Sequence, residues 1–421
     1  MGIKTTIKNV IGEQRVSKAK GNASFLANTA FIQLTRRKKM WCDSKYLEVY
    51  RIISDKKHHI FRGYYDIDHM NRDGNRILCH RMARQGGKTN AECEVGYYFL
   101  DTGKFVKISV TRAWCWQQGS RLRWIDDHRV IFNAADHDHY CAQIFDVRTN
   151  GKIGQIDHAL YDVAADFSYG ITLNFSRLQK MRPGYGYQVF PDPFESEKAP
   201  AEDGLFIVDL KSGDAKLLFS LEELAERTDP NGRCFHYLNH LSISPDGFHF
   251  IFFHIFREKK QIGWNCVLYV SDREGKNIRV LEERDRVSHY CWIDNVHLMA
   301  TCRMSNGKEY YCIFNVITGK KKELNIEGLE KDGHPTLIPK SKVFVTDTYP
   351  LKLGYQQLAL FREDKKNIKK VAFLYHDDRM RGEKRCDLHP TISKDGKWLS
   401  VDTTFQNGIR SVVVFSVVPG R

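Results

Sequence analysis

The chain has 421 residues, of which 42% are hydrophobic and 12% aromatic, and its formal net charge is +14. No run approaches the roughly 18 apolar residues of a membrane-spanning helix, and no small-residue cleavage site follows the short apolar stretch near the N-terminus. The charge favours a polyanionic partner, but the absence of helix-turn-helix, zinc-finger and RNA-binding motifs argues against nucleic acid.

The cysteines and the basic N-terminus indicate where the protein resides. Eleven cysteines are scattered singly, without a C-x-x-C pair, which is typical of a reducing compartment. We therefore expect a cytoplasmic protein. Lys18, Lys20 and residues 36–39 form a basic cluster, and this cluster is either a solvated tail or a peripheral contact with the inner membrane.

Residues 1–45 are predicted to form this basic extension, and residues 46–421 repeat one unit seven times. Each unit contains a hydrophobic strand that ends in a polar residue: RILCHR, RVIFNAAD, GITLNFSR, HFIFFHIF, HLMATCR, KVFVTD and WLSVDTT. Another strand follows each of these polar-ended strands, and Asp-Gly turns precede the polar-ended strands at 73–74, 246–247 and 395–396. A period of about 45 to 60 residues is typical of propeller blades. The sequence predicts an all-β, seven-bladed β-propeller that residues 47–53 close.

An insertion at 178–204 interrupts the third unit and is rich in Pro, Gly and Tyr. Its stretch RPGYGYQVF carries Arg182, Tyr185 and Tyr187 beside two glycines. These residue types suit sugar stacking and carboxylate binding. The alternative interpretation is an ordinary surface loop.

Four units place a histidine thirteen or fourteen residues before the polar end of their strand. The pairs are His240 with His254, His289 with Arg303, His334 with Asp347 and His389 with Asp402. Equivalent positions of a closed ring face one another, so we expect the four leading imidazoles to meet at the central channel. Together with Asp387 they could hold a divalent metal, Mn²⁺ or Zn²⁺, and supply a base. Repeated packing histidines are the alternative.

The first two units carry other polar groups near the same position. Asp66 precedes His80 by fourteen residues and follows Arg62 and the tyrosines at 64 and 65. The stretch QQGSRLRW supplies Arg121 in the second unit. We expect these side chains to lie at the mouth of the channel.

As a set, the motifs FRGYYD, QQGSRLRW, RPGYGY, NHLSISPDG, SHYCW, GHPTLIP, TDTYP and RCDLHP resemble a known group. The chain resembles the oligogalacturonate lyases and, more closely, bacterial propeller proteins associated with surface-polysaccharide genes. The resemblance implies a seven-bladed propeller with bound Mn²⁺, His289 as the base, and His334 and His389 as metal ligands. Asp387 stands where that family has a third metal histidine. The family's metal-binding glutamine and substrate arginine align near Lys384 and Val267, so the substrate arginine lies elsewhere.

The sequence thus predicts a metal-assisted lyase for an acidic, uronate-containing glycan. Its predicted catalytic residues are His289, Tyr65 and Arg62. The predicted substrate-binding residues are His240, His254, Asp66, Arg121, Arg177, Arg182, Tyr185, Tyr187, Arg303 and Asp347. Two alternatives remain: a non-catalytic propeller that binds glycan or a partner in capsule or lipopolysaccharide biosynthesis, and a glycosyl-transferring enzyme of that pathway.

Overall fold

The computed structural model describes residues 13–34, 39–84, 91–259, 261, 263–406 and 408–418. In this part of the chain the helices are α1 (Glu13–Leu34), α2 (Phe175–Met181) and α3 (Leu221–Thr228). None of them is both long and apolar enough to cross a membrane. Residues 36–38 of the predicted basic cluster lie outside the described residues.

The remaining structure consists of seven antiparallel sheets arranged as the blades of a propeller, as the repeat predicts. Blade one contains β3 (His58–Phe61), β4 (Arg76–Ala83), β5 (Cys93–Phe99) and β6 (Phe105–Thr111). Blade two contains β7 (Arg123–Trp124), β8 (Arg129–Asp136), β9 (His139–Asp146) and β10 (Gly151–Ile156). Blade three contains β11 (Asp162–Val163), β12 (Tyr169–Thr172), β13 (Gly204–Asp209) and β14 (Ala215–Ser220).

Blade four contains β15 (Phe235–Ile243), β16 (His249–Arg257), β17 (Asn265–Asp272) and β18 (Arg279–Glu282). Blade five contains β19 (Arg286–Trp292), β20 (His297–Arg303), β21 (Glu309–Asn315) and β22 (Lys321–Leu324). Blade six contains β23 (Thr336–Leu337), β24 (Phe344–Asp347), β25 (Tyr355–Phe361), β26 (Lys369–Tyr375) and β1 (Met40–Cys42). Blade seven contains β27 (Thr391–Ile392), β28 (Trp398–Thr403), β29 (Ser411–Val417) and β2 (Leu47–Ile53).

The ring closes by pairing the N-terminal part of the chain with the C-terminal part. β2 pairs antiparallel with β29, from Leu47 opposite Val417 to Ile53 opposite Val412, which confirms the predicted closure. β1 adds a fifth strand to blade six by pairing with β26. The predicted boundary at residue 46 therefore falls between two strands that both belong to blades.

The Asp-Gly turns set the geometry of the blades. In blades four and seven the same hydrogen bonds recur: the carboxylate of Asp246 or Asp395 accepts from a serine hydroxyl two residues before it and from a backbone N–H two residues after it. Gly247 and Gly396 follow with φ of 75° and 76°, which glycine adopts without a steric penalty. Local sequence therefore fixes the hairpin between the first and second strands of a blade.

Blade one departs from the repeat at the centre of the ring. β3 pairs with β4 as far as Phe61 opposite His80, and pairing resumes only at the bridge between Met70 and Ile77. Residues 62–69 therefore leave the ladder and form a loop in the channel, here called the channel loop. Tyr64 and Tyr65 at its tip are buried.

Candidate functional site

The four leading histidines converge at the centre of the ring. The ring centroids of His289 and His334 are 4.1 Å apart, those of His334 and His389 are 4.5 Å apart, and those of His240 and His289 are 6.0 Å apart. All four side chains are buried. Residues more than 140 positions apart in the sequence thus form one cluster, because each lies within the innermost strand of its own blade or two residues before it.

A backbone distortion recurs in three blades: it precedes the ladder in blades two and seven and lies at a register shift within β15 in blade four. Arg121, His240 and His389 have φ of 55°, 53° and 47°, and each lies two residues before a paired residue of its innermost strand. Positive φ is uncommon for residues other than glycine and concentrates at functional sites. In blades four and seven the distorted residue is one of the clustered histidines.

His334, His389 and Asp387 can hold a metal ion. One ligand atom from each lies within 4.8 Å of the others, and the Nε2 atom of His389 is 4.0 Å from Asp387 Oδ2. The Nε2 atoms of His334 and His389 are buried and have no hydrogen-bond partner among the described residues. A buried imidazole nitrogen without a partner is costly unless a ligand satisfies it. The donor set of two imidazoles and one carboxylate therefore fits Mn²⁺ or Zn²⁺.

The other ring nitrogens of these histidines are fixed by hydrogen bonds. His334 Nδ1 lies 2.8 Å from Asp347 Oδ1, and His389 Nδ1 lies 2.9 Å from the carbonyl oxygen of Gly63. Because these oxygens accept from Nδ1–H, each Nε2 keeps its lone pair. Asp347, predicted to bind substrate, therefore orients a candidate ligand.

Charges and burial in the cluster favour the metal-binding forms of Asp387 and His389, but they favour the protonated form of His334. Burial alone would raise the pKa of Asp387, but Arg385, His389 and His334 hold it well below its usual range. Burial and the neighbouring His334 lower the pKa of His389 well below its usual value. For His334, burial is outweighed by the carboxylates of Asp347, Asp387 and Asp332, which raise the pKa. The site thus combines an ionised carboxylate with at least one neutral imidazole.

His289 lies beside this set and has its own carboxylate. Its Nδ1 is 2.8 Å from Asp332 Oδ1, and the hydroxyls of Thr301 and Ser288 donate to the same carboxylate at 2.7 Å. Burial lowers the pKa of His289, although Asp332 partly offsets the effect. A neutral imidazole that donates through Nδ1 presents Nε2 as a base. Sequence reasoning missed Asp332, although it directly precedes the motif GHPTLIP.

The channel loop brings two phenols to the histidines. The ring of Tyr65 is 4.9 Å from that of His334 and 6.0 Å from that of His289, and the ring of Tyr64 is 4.8 Å from that of His389. Tyr65 Oη accepts a 2.8 Å hydrogen bond from the backbone N–H of Tyr290, so its own hydrogen can be donated. Burial raises the pKa of both tyrosines well above the usual value, and both phenols are protonated at neutral pH.

Two arginines predicted at the site, Arg62 and Arg121, use their N–H groups for contacts within the fold. Arg62 donates to Asp402, to Ser400 and to the carbonyls of Leu388 and His389. The assignment of Arg62 to catalysis is therefore replaced by a structural one: it joins blades one and seven. Arg121 donates to both oxygens of Asp66 and to the carbonyl of Tyr161, so Arg121 and Asp66 satisfy each other.

Of the other predicted binding residues, three are engaged in contacts within the fold and one is exposed. Arg177 donates to four backbone carbonyls between 194 and 236 and to Asp192. His254 is buried, and its Nε2 lies 2.9 Å from His236 Nδ1. The ring of Tyr187 stacks on that of Phe175 with centroids 4.3 Å apart. These three stabilise the fold. Arg303 is exposed at the rim, 3.7 Å from Glu309.

We expect the substitution Arg62→Met to destabilise the protein. It leaves the carboxylate of Asp402 buried without its cation, and breaking a buried ion pair costs about 3–5 kcal/mol. The free energy of unfolding from urea titration measures the effect. Arg362→Met is the matched control, because Arg362 and its partner Asp364 form an exposed pair whose loss costs about 1 kcal/mol or less. Equal losses in the two variants would contradict the structural role of Arg62.

Aromatic and basic residues, most of them partly exposed, lie beside the cluster and are here called the entrance. Tyr349 lies 6.0 Å from the ring of His334 and 6.4 Å from that of His289. Arg385 stacks on Tyr349 at 4.9 Å and donates to both oxygens of Asp387. Tyr185 lies 6.2 Å from the ring of His240, and Arg182 stacks on Tyr185 at 4.5 Å. Tyr349 and Arg385 were not predicted individually, although the motifs TDTYP and RCDLHP contain them.

A separate cavity of about 890 Å³ lies farther along the innermost strands, towards the turns. Asp68, Asp162 and Asp395 line it, and their carboxylates accept from backbone N–H groups or from Arg123. These aspartates stabilise turns and blade contacts. The clustered histidines do not line this cavity.

The comparisons with known proteins agree with the architecture. No family model matches the chain, and no curated protein matches it. The chain is similar in structure to the oligogalacturonate lyase of Vibrio parahaemolyticus, with 13% identity, a TM-score of 0.63, and coverage of 90% of this chain and 96% of that chain. At this identity the likeness concerns the fold. Hydrazine synthase of Kuenenia stuttgartiensis matches with 12% identity, a TM-score of 0.48 and coverage of 87% and 97%.

Proposed function

We propose that the protein is a metal-assisted lyase that cleaves an acidic, uronate-containing glycan by β-elimination. The observation that carries the proposal is the placement of His289 against the His334–His389–Asp387 set, with ring centroids of His289 and His334 only 4.1 Å apart. A base beside a cation site is what removal of the proton next to a carboxylate requires. The fold likeness to an oligogalacturonate lyase supports the same reaction class.

In this reaction the C5–H bond of the uronate breaks, the C4–C5 double bond forms, and the C4–O bond to the leaving sugar breaks. His289 accepts the C5 proton on Nε2, while Asp332 holds Nδ1–H and stabilises the resulting imidazolium. Tyr65 donates its proton to the departing oxygen, since its phenol is protonated and already oriented by Tyr290 N–H. A bound divalent metal would act as a Lewis acid towards the C6 carboxylate, where negative charge builds up.

The entrance suits an anionic sugar. Arg182 stacks on Tyr185 beside His240. Five arginines were predicted at the site from the sequence. Arg182 is the one that lies at the entrance and has no carboxylate partner among the described residues. It is thus our candidate for the substrate-binding arginine. The net charge of +14 also favours an acidic glycan as partner.

A direct assay tests the proposal. The purified full chain, loaded with Mn²⁺ or Zn²⁺, is incubated with oligomers of galacturonate, glucuronate and mannuronate. Formation of a C4–C5 double bond conjugated to the carboxylate raises ultraviolet absorbance, which we expect with at least one oligomer. A metal-loaded protein that binds these oligomers without any rise in absorbance would refute the lyase and favour a glycan-binding propeller.

A further inference from the structure

The entrance contains a ladder of alternating aromatic rings and guanidinium groups. The guanidinium of Arg182 lies 4.5 Å from the ring centroids of both Tyr185 and Trp264, and that of Arg286 lies 4.4 Å from Trp264. Here this set is called the arginine ladder. Cation–π stacking uses the faces of the guanidinium groups, so the N–H donors, which lie in the guanidinium plane, stay available.

Neither arginine of the ladder forms an ion pair with a carboxylate in the described part of the chain. Arg182 interacts with the phenols of Tyr185 and Tyr237 rather than with a carboxylate, and its Nε is buried without a hydrogen-bond partner among the described residues. Arg286 forms no ion pair in the described part of the chain, whereas its cross-strand neighbour Arg303 reaches Glu309. Burial and the charges of Arg303 and Arg182 lower the pKa of Arg286, although the carboxylate of Asp332 partly offsets the effect. Crowded cations of this kind attract an anion.

The ladder begins at the histidine cluster and leads away from it. Tyr185 lies 6.2 Å from the ring of His240 and 6.3 Å from that of Tyr64. Trp264 and Arg286 lie farther along, with Arg286 at the start of the strand that carries His289. A glycan whose reacting sugar lies at the histidines would therefore place a neighbouring sugar beside the ladder.

We infer that the arginine ladder is a second acid subsite, which binds the carboxylate of a sugar adjacent to the one that reacts. This inference rests on the proposed function, because the histidine cluster defines the reacting sugar. It narrows the substrate to a glycan with acidic groups on more than one sugar unit. A planar carboxylate can accept two parallel N–H bonds from a guanidinium, which favours a uronate over a neutral sugar at this position.

Binding measurements test the inference separately from turnover. Calorimetry in EDTA, where turnover is suppressed, compares trimers of galacturonate, glucuronate and mannuronate with the neutral trimer maltotriose. We expect Arg286→Gln to weaken binding of the preferred acidic trimer about 10- to 100-fold, as for a lost hydrogen bond to a charged group. Arg273→Gln is the matched control, because it removes the same charge at an exposed turn where Arg273 contacts Glu274. We expect this variant to bind the acidic trimer with wild-type affinity. Thermal unfolding of each variant checks the fold.

The outcomes separate the subsite from the lyase. Equal affinity of Arg286→Gln and wild type for every acidic trimer overturns the subsite, even if cleavage continues. Absence of any acidic-trimer binding by wild type also overturns it. A specific loss in Arg286→Gln without any cleavage by the metal-loaded wild type supports carboxylate binding at the arginine ladder and overturns the lyase. If Arg286→Gln does not fold, Trp264→Phe tests the same contact. This variant should weaken binding of the acidic trimer more than binding of maltotriose.

Discussion

Replacing His289 by glutamine is expected to lower the turnover of the preferred acidic oligomer by about 100- to 10,000-fold, the usual contribution of a general base. Glutamine keeps a polar side chain near Asp332 but cannot accept the C5 proton. The effect should fall on kcat, because the metal ligands and the arginine ladder remain. Steady-state kinetics by ultraviolet absorbance, with metal at saturating concentration, measures it.

A second histidine in the same blade provides the control for this substitution. His297 is exposed and contacts Asp294 at the start of β20, away from the cluster, and His297→Gln should retain wild-type turnover. Loss of activity in both variants would indicate damage to blade five. Full activity in His289→Gln, with a cooperative unfolding transition like that of wild type, would exclude His289 as the base.

Removal of a metal ligand is the second large effect. We expect wild-type protein to bind about one equivalent of Mn²⁺ or Zn²⁺ per chain and His334→Ala to lose this binding, because only two of the three grouped ligands remain. Calorimetric titration and elemental analysis after dialysis report the stoichiometry without reference to turnover. His297→Ala is the matched control and should keep the ion.

His389 offers an independent test of the same site. Its φ of 47° lies in the left-handed region, where asparagine is tolerated better than most residues, so His389→Asn changes the ligand with little backbone strain. This variant should bind the ion at least 10-fold more weakly, by analogy with the effect of perturbing metal-site residues. Wild-type stoichiometry and affinity in both His334→Ala and His389→Asn would show that the triad is not the metal site.

The repeat determined the architecture because its signals are local. Alternating strands and Asp-Gly turns specify one blade at a time, and Asp246 and Asp395 make the same turn hydrogen bonds in different blades. Seven such units, closed by β2, gather their innermost strands around one axis. The meeting of His240, His289, His334 and His389 could therefore be predicted from their spacing alone.

The tertiary structure decided which polar side chains remain available. Arg62 and Arg182 look alike in sequence, each beside a glycine and tyrosines. Arg62 meets Asp402 and two carbonyls of blade seven, whereas the guanidinium of Arg182 stacks on aromatic rings at the entrance. Asp332 contacts His289, which lies 43 residues earlier in the chain, and Arg286 stacks on Trp264 of the preceding blade. A periodic pattern fixes where a strand lies, but whether a charged side chain is neutralised depends on groups from other blades, which only the folded chain brings together.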